Sequence, residues 1–318
     1  MKPPYTITSE ILALVSSISK KIGEADAKHL IRQNPKLRKQ NKIKTIHSTL
    51  GIEGNSLSEK QITALIENKR VAGPEKDILE VLNALNVYKE LKQFRFHSEK
   101  DFLKAHKLMM SGLVVKPGAY RDKGVRIVTG SIIKHLAPPH HNVTFLMADL
   151  FEYLKSDSDL GLIKSCVFHY EMEFIHPFID GNGRMGRLWQ TLILMSEYPL
   201  FEFLPFETLI AKNQKDYYRA LSASDKEGSS TKFIVFMLKI IDESLLLLLD
   251  NGARKLNESD RLEIFLEQNP NTFTRKDYLK HFSDISAATA SRDLKSGVEQ
   301  NLIKMIGDKK TASYKKKK

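Results

Sequence analysis

Cysteine is almost missing from this sequence. Cys166 stands alone among 318 residues, so no internal disulfide can form and nothing asks for an oxidising compartment. Long apolar runs are missing too: Leu245–Leu249 falls far short of the roughly 20 residues that a bilayer-crossing helix needs. Met1–Tyr5 lacks a signal-peptide core, and Ile11–Ile18 is broken by serines and spaced as a helix. We therefore expect a cytoplasmic protein with no membrane partner. No G-x-x-x-x-G-K-[ST] phosphate loop occurs, and no internal repeat.

What is present in excess is positive charge. The net charge is +12, from 50 Lys and Arg against 38 Asp and Glu. Lys309–Lys318 holds six of those lysines and no acid. Such a tail attracts polyanions without choosing among them, and its plainer reading is a solubilising end. An apolar fraction of 42% and a charged fraction of 28% exclude a wholly disordered or fibrous chain. The length implies two or three structural units.

Helical spacing dominates. Ile11, Leu14, Val15, Ile18 and Ile22 share one helix face. Ser58 with Gln61 forms a capping box that opens a helix through Ile66. Pro74 introduces a helix carrying Ile78, Leu82, Leu85 and Leu91, and Ser98 caps one through Met110. The rhythm then changes: Val125–Thr129 and Ile132–Ile133 flank Gly130-Ser131 as a hairpin. Pro138-Pro139 breaks the chain before periodicity resumes at Phe145, and Leu160–Asp250 is helical apart from loops at 176–183 and 199–205. The polar stretch Asn251–Asp260 marks a boundary. Beyond it, Thr274 with Asp277 starts one helix and Ser286 caps another over Ala287–Gln300. Leu302–Ile306 and Thr311–Tyr314 flank Gly307-Asp308 as a wing, so this end reads as a winged helix-turn-helix.

The chemistry concentrates in His176-Pro177-Phe178-Ile179-Asp180-Gly181-Asn182-Gly183-Arg184-Met185-Gly186-Arg187. Gly181 and Gly183 flank Asn182 just before a helical run, so backbone N–H groups can converge on an anion at a helix start. Arg184 and Arg187 lie three apart, on one helix face beside that cradle. Two guanidinium groups and free amides suit a polyphosphate. Asp180 could hold Mg²⁺ against the phosphates. His176 could serve as a general base, since an imidazole titrates near neutral pH. The combination implies chemistry on a nucleoside triphosphate.

Two other readings compete. Gly181–Gly186 formally fits a dinucleotide fingerprint, but Leu162, Cys166, Tyr170 and Phe174 before it follow helical rather than strand spacing. A zinc site from His169, Glu173 and His176 lacks standard spacing. His169, His106 and His135 read as packing histidines.

The run His176–Arg187 resembles the signature of the Fic domain family, H-x-F-x-D-G-N-G-R-x-x-R, at every fixed position. The resemblance extends weakly to Pro117–Arg121, Pro138-Pro139 and Tyr217–Leu221. It implies a mainly α fold: a Fic-type helical core with a small β-hairpin flap, here followed by a winged helix of α+β type. It implies transfer of AMP from ATP onto a protein hydroxyl, with release of pyrophosphate. His176 would deprotonate the target hydroxyl, Asp180 would hold Mg²⁺, and Gly181, Asn182 and Gly183 would form the anion hole, anchored by Phe178. Arg184 and Arg187 would bind the outer phosphates, with Met185 and Gly186 beside them; Tyr217 or Tyr218 would line the adenine pocket, and the plainer reading of that pair is core packing. Glycine at 183, where a kinase branch has lysine, favours nucleotidyl transfer. The flap residues Val125, Arg126, Ile127, Val128, Ile132 and Ile133 would dock an extended target segment by main-chain pairing; the plainer reading is a surface hairpin.

Thr49-Leu50-Gly51-Ile52-Glu53-Gly54 resembles the family's inhibitory motif, [S/T]-x-x-x-E-[G/N], and Asn55 continues it. The resemblance implies a bidentate Glu53–Arg187 pair that blocks the γ-phosphate; the plainer reading makes Glu53 an exposed helix charge. The domains expected are 1–97, a helical region with the inhibitory helix; 98–250, the catalytic core; and 256–318, the winged helix with its basic tail. Residues 256–308 hold seven Lys and Arg against nine Asp and Glu. Thr289, Ser291, Arg292 and Lys295 make a sparse set for reading bases. A DNA-binding regulator with a nucleotide-sensing core, and removal of AMP at the same site, stand as alternatives. Partners are an unknown protein bearing a Tyr, Ser or Thr hydroxyl, the chain itself, DNA, or a second copy in a homodimer.

Overall fold

The computed structural model describes residues 2–27, 35–129, 132–156, 159–252, 257–268, 272–282, 285–308 and 312–317. They fall into two compact units, one from residues 2–26 and 41–249, the other from 250–317 with the described part of 27–40. Among the described residues no helix is long and apolar enough to cross a membrane.

The first unit holds α1 (Ser9–Ala27) up to residue 26, α2 (Pro35–Ile52) from residue 41, α3 (Glu59–Ile66), α4 (Glu75–Glu90) and α5 (Glu99–Met109), then a hairpin, β1 (Arg126–Thr129) and β2 (Ile132–Leu136). It continues through α6 (His140–Lys155), α7 (Gly161–Ile175), α8 (Asn182–Glu197), α9 (Glu207–Lys212), α10 (Gln214–Glu227) and α11 (Thr231–Gly252) up to residue 249. Helices α7 and α8 form its centre. Both bury residues on nearly every face, which is why neither reads as amphipathic. They approach closely at Gly186, where a Cβ would stand 2.8 Å from the His169 ring. Phe102, Phe151, Phe168 and Trp189 pack edge to face around them. Helix α1 buries Ile11, Ile18 and Ala25, and Lys21 reaches Asp242 on α11 at 2.6 Å.

Several boundaries differ from the sequence reading. Helix α6 begins at His140, not Phe145, because Pro139 at φ −53° already suits a helix entrance. Val125 precedes β1, the second strand extends to Leu136, and the turn at Gly130-Ser131 lies outside the described residues. The register shifts between Ile127 and Val128, so one bulge bends the hairpin.

In the second unit, α12 (Glu258–Gln268), β3 (Phe273–Thr274), α13 (Arg275–His281), α14 (Ala287–Glu299), β4 (Ile303–Ile306) and β5 (Ser313–Lys316) surround Leu262, Phe265, Tyr278, Leu294 and Ile303. Strand order is β3-β5-β4, all antiparallel. The Thr274–Asp277 capping box and the Ser286 cap are both formed. Arg261 grips Asp293 with two bonds of 2.6 and 2.8 Å, and Tyr278 donates to the same carboxylate. The expected wing start at Thr311, and 253–256 of the expected boundary, lie outside the described residues.

Candidate active site

His176 ends α7 in a left-handed conformation, φ 50° and ψ 60°, with its N–H donating to Met172 O at 3.0 Å. Glycine or asparagine usually takes such a position, and a histidine there costs about 1 kcal/mol. Buried Arg121 holds it. The guanidinium donates to the carbonyls of His176 (2.8 Å), Pro138 (2.6 Å), Ile175 (3.2 Å) and Lys123 (2.9 Å), and its own N–H donates to Pro177 O. It thus satisfies carbonyls that a helix end leaves open and places a cation where the helix dipole favours one. Arg121→Ala should cost about 2–4 kcal/mol by orphaning those groups, lowering the unfolding midpoint by roughly 5–15 °C in a thermal melt. Arg121→Lys should not restore it, for lysine lacks the fork.

The loop beyond His176 is fixed from below. Phe178 is fully buried, its ring stacked on His106 at 3.6 Å. His106 Nδ1 accepts the Gly118 N–H at 2.8 Å, so Nε2 is the protonated nitrogen and donates to Asp180 O at 3.0 Å. Burial pushes the His106 pKa down to about 4, keeping the ring neutral in this role. Asn182 clasps Phe178 through both ends of its amide, each at 2.9 Å. Its side chain therefore shapes the loop, leaving backbone amides for an anion. Gly181 needs its φ of 89° and also has Met110 Sδ 2.8 Å from where a Cβ would stand.

Helix α8 begins at Asn182, so the N–H groups of Asn182, Gly183 and Arg184 have no acceptor within the helix. Both arginines project from this turn and both are buried. Arg184 donates from Nη1 to Glu80 and from Nη2 to Asp180, each at 2.9 Å. Arg187 donates from Nε to Thr49 Oγ1 (2.8 Å) and from Nη2 to Thr49 O (3.0 Å) and Glu53 Oε1 (2.6 Å). Its Nη1 is buried without an acceptor among the described residues. Burial opposes the charge on Arg187, but Glu53 more than offsets it, and the pKa moves up.

The spelling of the Thr49–Gly54 segment has a local reason. Thr49 and Glu53 are four apart at the end of α2, hence on one face toward Arg187. Gly54, at φ 91°, ends the helix, and the Asn55 N–H returns to Leu50 O. The contact is not the bidentate pair expected from sequence. Glu53 engages one nitrogen through one oxygen, because Thr49 already occupies Nε and shares Nη2. A Cβ on Gly183 would collide with Glu53 Oε1 and approach Arg187 Nη1 at 3.0 Å. The glycine thus lets a carboxylate lie over the first turn of α8, where an anion would bind.

Other expected site residues sit elsewhere. Met185 is fully buried, and Gly186 faces His169 rather than the cradle. Tyr217 is a core residue at 1% exposure, its hydroxyl 3.0 Å from His169 Nε2. Tyr218, 40% exposed, walls an open groove of about 450 Å³ with Lys215, Arg219 and Lys226. Arg126, Ile127 and Val128 lie in β1 and Ile132 and Ile133 in β2, and the orientation of these side chains and of His135 lies outside the described residues; Val125, just before β1, is half-buried. His169 Nδ1 meets Gln190 Oε1 at 2.7 Å, and burial takes its pKa down to about 3. Among the described residues no group of three His, Cys, Asp or Glu gathers as a metal cluster. Asp180, its side chain 46% exposed, offers one carboxylate, which suits Mg²⁺ arriving with phosphate oxygens. Sequence reasoning missed Glu80, Arg121 and Glu207, a buried acid near Arg187 whose pKa burial raises to about 7.

The Fic/DOC family profile matches residues 96–194. A crystal structure of a Fic family protein from Desulfovibrio desulfuricans G20 is 38% identical, with a TM-score of 0.77, covering 100% of this chain and 98% of that one. Protein adenylyltransferase Fic of Drosophila mojavensis is 27% identical over 246 residues, 73% of this chain and 46% of that protein. Protein adenylyltransferase fic-1 of Caenorhabditis briggsae is 29% identical over 214 residues, 63% of this chain and 40% of that protein. The chain spans under half the length of these curated relatives. With its signature loop intact and a solved family member matching along nearly its whole length, the chain belongs to the Fic family.

Proposed function

We propose that the protein is an adenylyltransferase that moves AMP from ATP to a protein hydroxyl and is held back by Glu53. The observation that carries this is the Glu53 carboxylate lying over the first turn of α8 and bonded to Arg187, where in this reading a terminal phosphate would bind. In the released state the α8 amides and the two arginines bind the triphosphate. The target oxygen attacks the α-phosphorus as His176 takes its proton through Nε2, since Nδ1 is buried. The bond from phosphorus to the bridging oxygen breaks and pyrophosphate leaves. Asp180 would hold Mg²⁺, which when bound neutralises phosphate charge. Positioning and charge are what such a transfer needs. Tyr218, not Tyr217, is the tyrosine available to a base. The hairpin at 126–136 would carry an extended target segment, the chain itself among the candidates.

The test uses ATP labelled at the α- or the γ-phosphate, with Mg²⁺ and Glu53→Gly protein. Label from the α-position alone is expected on protein. Label from the γ-position would replace nucleotidyl by phosphoryl transfer, and none from either would remove both.

A second reading, a regulator that binds DNA, draws support from the second unit, which we infer to be a winged helix: three helices with a β4–β5 wing. The exposed face of α14 gives it little. Thr289 bonds Ser286, Ser291 bonds Ala287 and Arg275, and Lys295 lies 3.8 Å from Glu299, leaving Arg292. We therefore favour recruitment or regulation as the role of this unit.

A further inference from the structure

We propose that Glu80 is a positioning residue with two duties: it fixes the Arg184 fork for the phosphates and, through Asn55, ties the Glu53 segment to that fork. The inference rests on reading the cradle as a nucleotide site. Glu80 lies on α4 with its side chain 6% exposed. Its Oε1 accepts from Arg184 Nη1 at 2.9 Å, and its Oε2 accepts from Asn55 Nδ2 at 2.8 Å. A buried carboxylate with both oxygens engaged has one orientation, and its two donors belong to opposite halves of the site. Lys76, 4.0 Å from Oε1 and 70% exposed, adds little.

Asn55 follows directly on Glu53-Gly54. Its Nδ2 also reaches Asp77 O at 3.1 Å, while its Oδ1 accepts the Leu57 N–H at 3.1 Å. Ser56 adds two bonds to Asp77, from its N–H at 2.8 Å and its hydroxyl at 2.6 Å. The chain leaving Glu53 is thereby pinned to the start of α4, one turn from Glu80. A loosened Asn55 lets the Glu53 end of α2 move without touching Glu53 itself.

The two carboxylates on Arg184 are not equivalent. Asp180 is about half exposed and can turn toward a cation, whereas Glu80 is enclosed. If Asp180 turns away, Glu80 alone keeps a buried guanidinium compensated and aimed. Arg184 Nε, buried without an acceptor among the described residues, remains as a further donor in the same place.

The experiment measures kcat and KM for ATP, and calorimetric Mg-ATP affinity, in Glu80→Gln and Asn55→Ala. Each is made with Glu53 intact and in the Glu53→Gly chain, with thermal unfolding to report folding. Glutamine keeps the shape but cannot serve both donors with charge. In the Glu53→Gly chain, Glu80→Gln should raise KM and weaken affinity about tenfold, the lower range of a charge-assisted bond, with kcat within about twofold. A residue of merely structural importance would lower kcat or the folded fraction instead. Asn55→Ala should weaken affinity in that chain less than Glu80→Gln does, because Arg184 still holds Glu80 Oε1, yet raise self-modification roughly three- to tenfold where Glu53 is intact, for about 1 kcal/mol of tether is lost. Unchanged KM and affinity in Glu80→Gln overturn the positioning duty; an Asn55→Ala chain as silent as its Glu53-intact parent overturns the tie. Glu80→Asp, which keeps the charge but is too short for both donors, should weaken affinity likewise and serves if the glutamine variant does not fold. If the parent Glu53→Gly chain binds no nucleotide, the nucleotide reading itself falls, and this inference with it.

Discussion

Glu53→Gly should raise incorporation of labelled AMP into the chain by about 10- to 100-fold over the unaltered protein. The size follows from what the substitution releases. Arg187, fully buried, now donates across 2.6 Å to Glu53, whose side chain is 29% exposed. A charge-assisted bond of this kind is worth about 1.5–3 kcal/mol net, which converts to that range of affinity for a competing phosphate. The carboxylate also repels an anion approaching the α8 amides, so its removal acts in the same direction twice. Stability should move oppositely. Deleting Glu53 leaves Arg187 with Thr49 oxygens but no adjacent charge, and orphaning one partner of a buried pair costs about 3–5 kcal/mol. The variant should melt earlier without nucleotide and recover with Mg-ATP, because a ligand that binds only the folded chain stabilises it by mass action. Glu53→Gln, which keeps an acceptor without charge, should fall between. A Glu53→Gly chain that binds Mg-ATP yet labels no faster than the parent would strip Glu53 of its inhibitory part.

The site was legible where its residues are adjacent in sequence. The His176–Arg187 segment spells loop, cradle and helix start in twelve consecutive positions, and each glycine there has a local reason: Gly181 its φ of 89°, Gly183 the close Glu53 carboxylate, Gly186 the His169 ring. Glu53 was legible because Thr49, Glu53 and Gly54 form one helix end. The supports were not. Glu80, Arg121 and His106 reach the site from other elements: an isolated Glu in a helical pattern looks like any surface charge, and His106 reads only as a packing histidine. Arg121 could have been suspected, since it ends the Pro117–Arg121 stretch already singled out, but nothing in its neighbours points at the carbonyl of His176. Tyr217 shows the opposite error. The resemblance put Tyr217 or Tyr218 at adenine, yet helical geometry turns Tyr217 inward onto His169, the core-packing reading, and only Tyr218 outward. The bidentate pair failed for a similar reason: Thr49, a position with no charge to announce it, already uses part of the Arg187 fork.

In the Glu53→Gly chain, His176→Ala should lower the rate of AMP transfer by about 10²- to 10⁴-fold, the usual contribution of a general base. Mg-ATP affinity should stay within about twofold, since the cradle is built by Gly181–Gly183 and the arginines. Alanine brings a complication, because residue 176 lies at φ 50°, where a side chain other than Gly or Asn is strained. A loss in His176→Ala alone could therefore reflect a shifted loop. His176→Asn removes that doubt: asparagine accepts the left-handed backbone and can still receive the Arg121 bond at its carbonyl, but it has no basic nitrogen. Both variants should lose transfer equally, and both should keep affinity. Should His176→Asn retain near-parental turnover, the imidazole would be a structural end to α7 and the proton would have to leave by another route. If affinity collapses in alanine but not in asparagine, backbone geometry at 176 governs the cradle as well. The left-handed turn would then be as much a part of the phosphate site as the glycines that follow it.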